Sequence, residues 1–155
     1  MKFCNKTKKC GHKCKGVCGE KKCLPCIHSD CVWRSKVLAA GIDEDELCGI
    51  CNLSELGADA CSRLSCGHVF HTGCLVQLLK QRWPTKRITF GFMACPTCNE
   101  EIYFEDLSEP IAKELFPLLR LKEKVENLAL KAAQKHGIIK STRLFGLSDV
   151  FCKKR

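Results

Sequence analysis

The chain has 155 residues, 15 of them cysteine, and a formal charge of +9. That length holds one or two small domains, and a cysteine content near a tenth marks a disulfide or metal scaffold rather than a large apolar core. No stretch is apolar for the length a bilayer requires, and the charged opening MKFCNKTKKC carries no secretory signal, so no membrane role is expected.

An intracellular, reducing setting follows as the expectation, in the cytoplasm, the nucleus or both. There, patterned Cys and His mean zinc rather than disulfides. The charge is unevenly spread. Residues 1–36 hold ten Lys/Arg against two Asp/Glu, residues 37–107 five against ten, and residues 108–155 eleven against five. Zinc lowers the balance further, because three thiolates and a histidine on one Zn2+ carry roughly −1 per site. An inference to nucleic acid from net charge weakens accordingly.

Residues 1–34 read as a cysteine-rich, zinc-binding block with nine candidate ligands: Cys4, Cys10, His12, Cys14, Cys18, Cys23, Cys26, His28 and Cys31. Two four-coordinate zincs need eight. Pairing by nearness in sequence gives Cys4, Cys10, His12 and Cys14 for one ion and Cys23, Cys26, His28 and Cys31 for the other. Cys18 is then left over, or it replaces Cys4. A single well-formed site in a loosely ordered arm is the other option, so the block takes one or two zincs. Cys-Gly-His-x-Cys followed by a Cys-x-Pro-Cys turn resembles the cysteine-rich finger of X-box-binding transcription factors. The interleaved lysines 6, 8, 9, 13, 15, 21 and 22 read as a solvated face. The competing reading, a nucleic-acid patch, has only Phe3 to offer for base stacking.

Residues 35–46 form a linker, with VWRSKVLAAG giving a short helical turn that stops at Gly41 and an acidic run, Asp43 to Glu46, read as solvated. The next segment, 47–104, carries eight ligands in the order Cys48-x2-Cys51-x14-Cys66-x-His68-x2-His71-x2-Cys74-x20-Cys95-x2-Cys98. A two-residue gap lets one tight turn present two ligands to one ion, and eight ligands fill two tetrahedral sites with none over. With four ligands available to each, both zincs read as structural, with no open position to activate water. Cys61 lies off this register and reads as a small apolar filler rather than a nucleophile. The run LVQLLKQRW after Cys74 has helical spacing and ends before Pro84. Ile88, Phe90 and Phe92 alternate with Thr89, Gly91 and Met93, the period of a strand.

Residues 105–138 read as a helical extension, with helix over 107–137. Ser108 is the N-cap, Pro110 lies in the first turn, Gly137 is the stop, and a kink or a junction of two helices is expected near Pro117. The tail, 139–155, has no pattern. Cys152 precedes Lys-Lys-Arg, too short to decide between a nuclear address and a chain end.

The eight-ligand order resembles a RING finger of the RING-H2 kind. The resemblance implies a small zinc-stabilised α+β fold: a cross-braced RING, with the cysteine-rich block before it and the helical extension after it. In that wiring Cys48, Cys51, His71 and Cys74 hold one zinc, and Cys66, His68, Cys95 and Cys98 the other. It also implies a docking groove for a ubiquitin-conjugating enzyme, at positions matching Ile50, Pro96 and, on the central helix, Leu78, with Trp83 one turn on. Many RING fingers carry Arg or Lys directly after the last ligand; this chain has Asn99, which removes a cationic contact to conjugating enzyme and ubiquitin.

QRWPTKRITFGFMACPTC, the preceding GHKC…CLPCIHSDC and the following DLSEPIAKEL resemble the RING and flanks of the Pam/Highwire family of giant ubiquitin ligases. That family works by a relay, in which the RING binds a ubiquitin-loaded conjugating enzyme and ubiquitin passes to cysteines of a downstream tandem-cysteine domain. This chain ends at Arg155, where that domain would begin, and Cys152 does not match a relay pair. A RING-type E3 ubiquitin ligase, or its docking half with no covalent nucleophile, is therefore expected. The alternative is a non-enzymatic zinc-dependent module binding protein or nucleic acid.

Overall fold

The computed structural model of the chain describes residues 2–20, 22–34, 42–83, 88–103 and 107–137. The helical turn expected to end at Gly41, the stop at Pro84, and the tail with Cys152 lie outside these. The first 117 residues cluster into one unit and the remainder into a second.

Residues 2–7 and 13–18 run antiparallel as an irregular hairpin, with bridges at Phe3–Val17 and Thr7–Lys13. Cys4 N–H donates to the Gly16 carbonyl, Cys14 N–H to Lys6 and Cys18 N–H to Lys2. Gly11, at φ 87°, lets the turn close where a side chain would be strained. The far strand is joined to the RING: Gly16 bridges Cys61 in parallel, and Cys61 N–H donates to the Lys15 carbonyl at 2.9 Å. The block is therefore tied to the RING by backbone bonds rather than hanging as a loose arm. It ends in α1, Ser29–Arg34.

The RING is a two-stranded sheet with one helix. β1 (Cys61–Arg63) pairs antiparallel with β2 (Val69–His71), Cys61 opposite His71. α2 (Thr72–Gln81) follows directly. It starts three residues before the apolar run read from sequence, and Leu75 and Leu79, four apart, face a common buried interior. Leu56, Leu64, Phe70 and Ile102 are buried as well. The strand expected over 88–94 is not formed. Gly91–Met93 is a single 3-10 turn instead. Alternation needs a neighbouring strand to become a ladder; here Phe90 and Phe92 turn to Trp83, each with ring centroids 6.3 Å from the indole.

α3 (Glu109–Lys135) runs through Pro117 as one continuous helix, not two. Ser108 starts it with a carbonyl that accepts from Ile111 and Ala112, and Gly137, at φ 68°, donates to Gln134 at the far end. In its first turns Ile111 and Leu115 are fully buried, and Glu114 lies 3.7 Å from Lys80 of α2. Taken by itself, the helix beyond Pro117 exposes Leu128. No described helix is long and apolar enough to cross a membrane.

A polar hub joins these pieces. The buried Ser62 hydroxyl donates to Glu20 of the N-terminal block at 3.0 Å and lies 2.8 Å from the Thr72 hydroxyl and 3.1 Å from the Ser108 hydroxyl. One donor and two acceptor lone pairs are all a hydroxyl has, so Ser62 is saturated. Burial raises the Glu20 carboxyl above its ordinary range, and the Ser62 bond only partly offsets this.

Candidate metal centres and docking groove

The described cysteines are all free thiols, so no disulfide competes for them. Cys48, Cys51, His71 and Cys74 bring their ligand atoms within 4.8 Å of one another, as do Cys66, His68, Cys95 and Cys98. Residues far apart in sequence alternate between the two groups, which is the cross-braced arrangement.

The two knuckles are built alike. Asn52 N–H donates to the Cys48 carbonyl and Asn99 N–H to the Cys95 carbonyl, both at 2.8 Å. Asn52 and Asn99 both take left-handed backbone, φ 52° and 59°. Asn tolerates that region better than Arg or Lys. The Asn after the last ligand thus suits its local conformation, whatever it does to a partner.

β2 ends on His71, and the first turn of α2 carries Cys74, so one strand-to-helix junction supplies two ligands. His71 Nε2–H donates to the Glu55 carbonyl at 2.9 Å. That fixes the tautomer and leaves Nδ1 for metal, 3.8 Å from both Cys51 and Cys74 Sγ. The Leu53 and Ser54 backbone N–H groups bring the Cys51 thiol down to about 6, whereas burial pushes Cys74 up to about 12. In the second group, the turn closed by Gly67, φ 96°, sets Cys66 and His68 side by side, with His68 Nδ1 at 3.4 Å from Cys66 Sγ and 3.6 Å from Cys95 Sγ. Three thiolates and an imidazole in each group fit Zn2+ in a closed, structural site.

The N-terminal ligands are regrouped relative to the pairing drawn from sequence. Cys10, His12, Cys26 and Cys31 form one four-donor group, and Cys4, Cys14 and Cys23 come together separately. His12 Nδ1 lies 3.2 Å from Cys31 Sγ and 3.8 Å from Cys26 Sγ. His28 leaves the set expected for it. It stacks on His12 at 3.8 Å and points Nε2 at Glu44, 3.5 Å away. The reason is topological: the hairpin reverses the chain at Gly11, so Cys4 and Cys14 lie as diagonal neighbours on its two strands while Cys10 and His12 sit at its tip. Two further expectations change. Glu44, in the acidic run read as solvated, is half-buried and also lies 4.0 Å from Lys15. Among the lysines read as solvated, Lys15 Nζ donates to the Gly57 carbonyl at 2.9 Å and Lys8 Nζ donates to the Leu24 carbonyl.

Cys61 is fully buried, donates to the Leu56 carbonyl at 3.1 Å, and is pushed by burial up to about 12. It is a packed thiol and no nucleophile.

Of the docking residues read from sequence, Pro96 is exposed, and Ile50, Leu78 and Trp83 are partly so. Leu78 lines a shallow concavity of about 390 Å3 with Gln81, Arg82 and Phe92. Trp83 does not line it but stands behind it, edge-on to Phe92, its buried indole N–H unpaired among the described residues. Phe92 was missed as a surface residue because its alternation with Gly91 and Met93 read as strand. Its place before the seventh ligand was the available signal.

The Ring finger domain family matches residues 46–99, the span of both knuckles and α2. The E3 ubiquitin-protein ligase highwire of Drosophila melanogaster is 40% identical over 146 residues, 90% of this chain and 3% of that protein. Residues 46–99 are a RING finger, and the chain around them is similar to the Pam/Highwire ligases. The E3 ubiquitin-protein ligase MYCBP2 of Danio rerio is 42% identical over 141 residues, 89% of the chain and again 3% of the relative. The zinc finger protein-like 1 homolog of Aedes aegypti is 33% identical over 97 residues, 61% of the chain and 32% of that protein. The likeness to the Pam/Highwire ligases thus extends beyond the RING into its flanks, while the chain spans about 3% of those ligases' length.

Proposed function

We propose that this chain is the enzyme-docking part of a RING-type E3 ubiquitin ligase. It binds a ubiquitin-loaded conjugating enzyme at Ile50, Leu78 and Pro96 and promotes transfer of the ubiquitin, with no covalent intermediate on its own residues. The observation that carries this reading is that two closed four-donor groups hold knuckles whose apolar residues stay accessible. Ile50 and Pro96 have no ligand role, and leaving them in water costs free energy that a partner recovers. The Leu78–Phe92 concavity offers a place for an apolar side chain of that partner, with Arg82 at its rim to select for an acidic or carbonyl-rich neighbour.

Zinc supplies shape here rather than chemistry. The chain's own part is to hold the groove rigid, so that docking pays little ordering entropy. The neutral amide at Asn99 is a weaker contact than a cation, which suits a step in which the enzyme is held for onward transfer more than one in which its thioester is activated in place. Thiols kept as metal ligands fit a reducing, intracellular setting.

A thioester-discharge assay over a panel of ubiquitin-loaded conjugating enzymes tests the proposal. Accelerated loss of the thioester, or capture of the loaded enzyme, is expected with at least one. Neither with any of them refutes it.

A nucleic-acid role for the N-terminal block is less well supported. Lys8 and Lys15 are spent on backbone carbonyls, and Lys15 also sits 5.6 Å over the Phe3 ring, where a base would have to stack.

A further inference from the structure

Resting on the docking reading above, we propose that Leu53, with Leu47 beside it, is the main affinity- and specificity-determining contact of the first knuckle for the conjugating enzyme, and Ile50 the lesser one. Leu53 has 85% of its surface in water and Leu47 56%, whereas Ile50 between them is largely shielded. Single exposed apolar residues are ordinary on a protein. Here two lie within seven residues, one directly before the ligand Cys48 and one two residues after the ligand Cys51. Together they make a patch on one metal turn.

The loop fixes where they stand. Leu47 bridges Glu55 in an antiparallel pair, Cys48 N–H donates to the Ser54 carbonyl at 3.0 Å, and Leu56 N–H donates to the Glu46 carbonyl at 2.8 Å. The two arms therefore run side by side, with Leu53 next to the bonded Ser54 and diagonal to Leu47. The Leu53 N–H also bonds the Cys51 sulfur, and Asn52, at φ 52°, turns the chain between them. With Cys51 on zinc the Leu53 backbone is held, and docking has only the side chain left to order. The interior does not need this leucine: Leu56 and Ala60 of the same loop are the buried ones, and Leu53 is no ligand.

The surroundings of the patch say what covers it. Ile50 lies three residues from each leucine on the same turn, so a partner seated on Ile50 reaches both without a second interface. Glu46, next to Leu47 in sequence, and Glu55, across the bridge from it, are both exposed and give the patch an acidic rim. The occupant that fits is an apolar loop of the conjugating enzyme flanked by Lys or Arg; an enzyme with an acidic residue there is disfavoured. Truncating Leu53 to Ala removes three carbons that stand almost wholly in water before docking, so the loss falls on binding rather than on folding. Truncating the shielded Ile50 divides its loss between the two.

Calorimetric titration of the zinc-loaded chain tests the assignment, with a conjugating enzyme whose discharge the chain accelerates, both unloaded and carrying ubiquitin on a stable linkage. Leu53→Ala should weaken docking of both forms roughly 10- to 30-fold, more than Ile50→Ala does, with the zinc count and melting temperature of wild type. Leu53→Met, which keeps the apolar surface, should stay within about threefold of wild type. Wild-type docking by Leu53→Ala, alongside weakened docking by Ile50→Ala, would overturn the assignment and leave the docking reading standing. A loss seen only with the ubiquitin-carrying form would overturn it too, by giving the patch to ubiquitin. So would a loss of zinc or a lowered melting temperature in Leu53→Ala, which would make the residue structural. No docking of the wild-type chain to any enzyme of a broad panel would instead refute the docking reading itself, and the assignment with it.

Discussion

Truncating Ile50 to Ala removes three carbons from the first knuckle without touching a metal ligand. Burying each methylene is worth about 0.8 kcal/mol, so about 2.4 kcal/mol is at stake if the whole tip passes from water into an interface. Ile50 is already largely shielded in the free protein, which leaves at most about 1 kcal/mol for docking. That corresponds to roughly a fivefold loss of affinity for the conjugating enzyme at most. The remainder, about 1–2 kcal/mol, is the cost to folding. Single-turnover discharge, measured against conjugating-enzyme concentration, separates the two effects. We expect a half-saturation shifted by up to that factor, with the zinc count of wild type and a melting temperature lower by roughly 2–8 °C. A wild-type concentration dependence would refute the reasoning. So would a loss of zinc, because it would make Ile50 a structural residue of the knuckle.

Asn99→Arg restores the cation that many RING fingers carry after the last ligand, and should speed discharge several-fold. It should also lower the melting temperature by roughly 2–4 °C, because a left-handed Arg costs about 1 kcal/mol more than Asn; unchanged discharge would mean that the missing cation does not limit this RING. Glu20→Gln bears on the buried carboxyl. Its pKa is raised in the folded state above the ordinary 4.5, so the folded form binds more protons than the unfolded one, and wild-type stability falls as pH rises out of the carboxylate range. The Gln variant should flatten that fall, and thermal melts at mildly acidic and neutral pH should show the gap closing in its favour at neutral pH. Ser62→Ala leaves the Glu20, Thr72 and Ser108 side chains short of their shared partner, and should cost about 2 kcal/mol of stability in denaturant titration.

How much of this was legible in the sequence depends on how local the cause is. Ligand spacing is local: the Cys48–Cys51 and Cys95–Cys98 turns need only two intervening residues, and the His71–Cys74 gap sits on one helical turn. The central helix was legible because Leu75, Val76, Leu78 and Leu79 repeat at helical spacing, and Gly137 ended α3 where a residue with positive φ was called for. The N-terminal pairing was not legible. Spacing tells which residues can bind a metal, but partnership is set by the hairpin register and by the reversal at Gly11, and proximity in sequence is the wrong guide across a hairpin. The alternation at 88–92 misled for a related reason, since a two-residue period makes a strand only where another strand is present to receive it. At Pro117, of the kink or helix junction expected, the junction is absent: one helix runs through it. The Ser62 hub left no trace in composition, because its members come from four distant segments and each residue looks ordinary where it stands.

The most direct test of the docking reading is to titrate the zinc-loaded chain with a ubiquitin-loaded conjugating enzyme while following its methyl resonances by NMR. The Ile50 and Leu78 methyls should shift or broaden together and saturate at one concentration, while the buried Ile27 methyls of the N-terminal block stay in place. Shifts confined to the N-terminal block, or none with any enzyme of a broad panel, would contradict it.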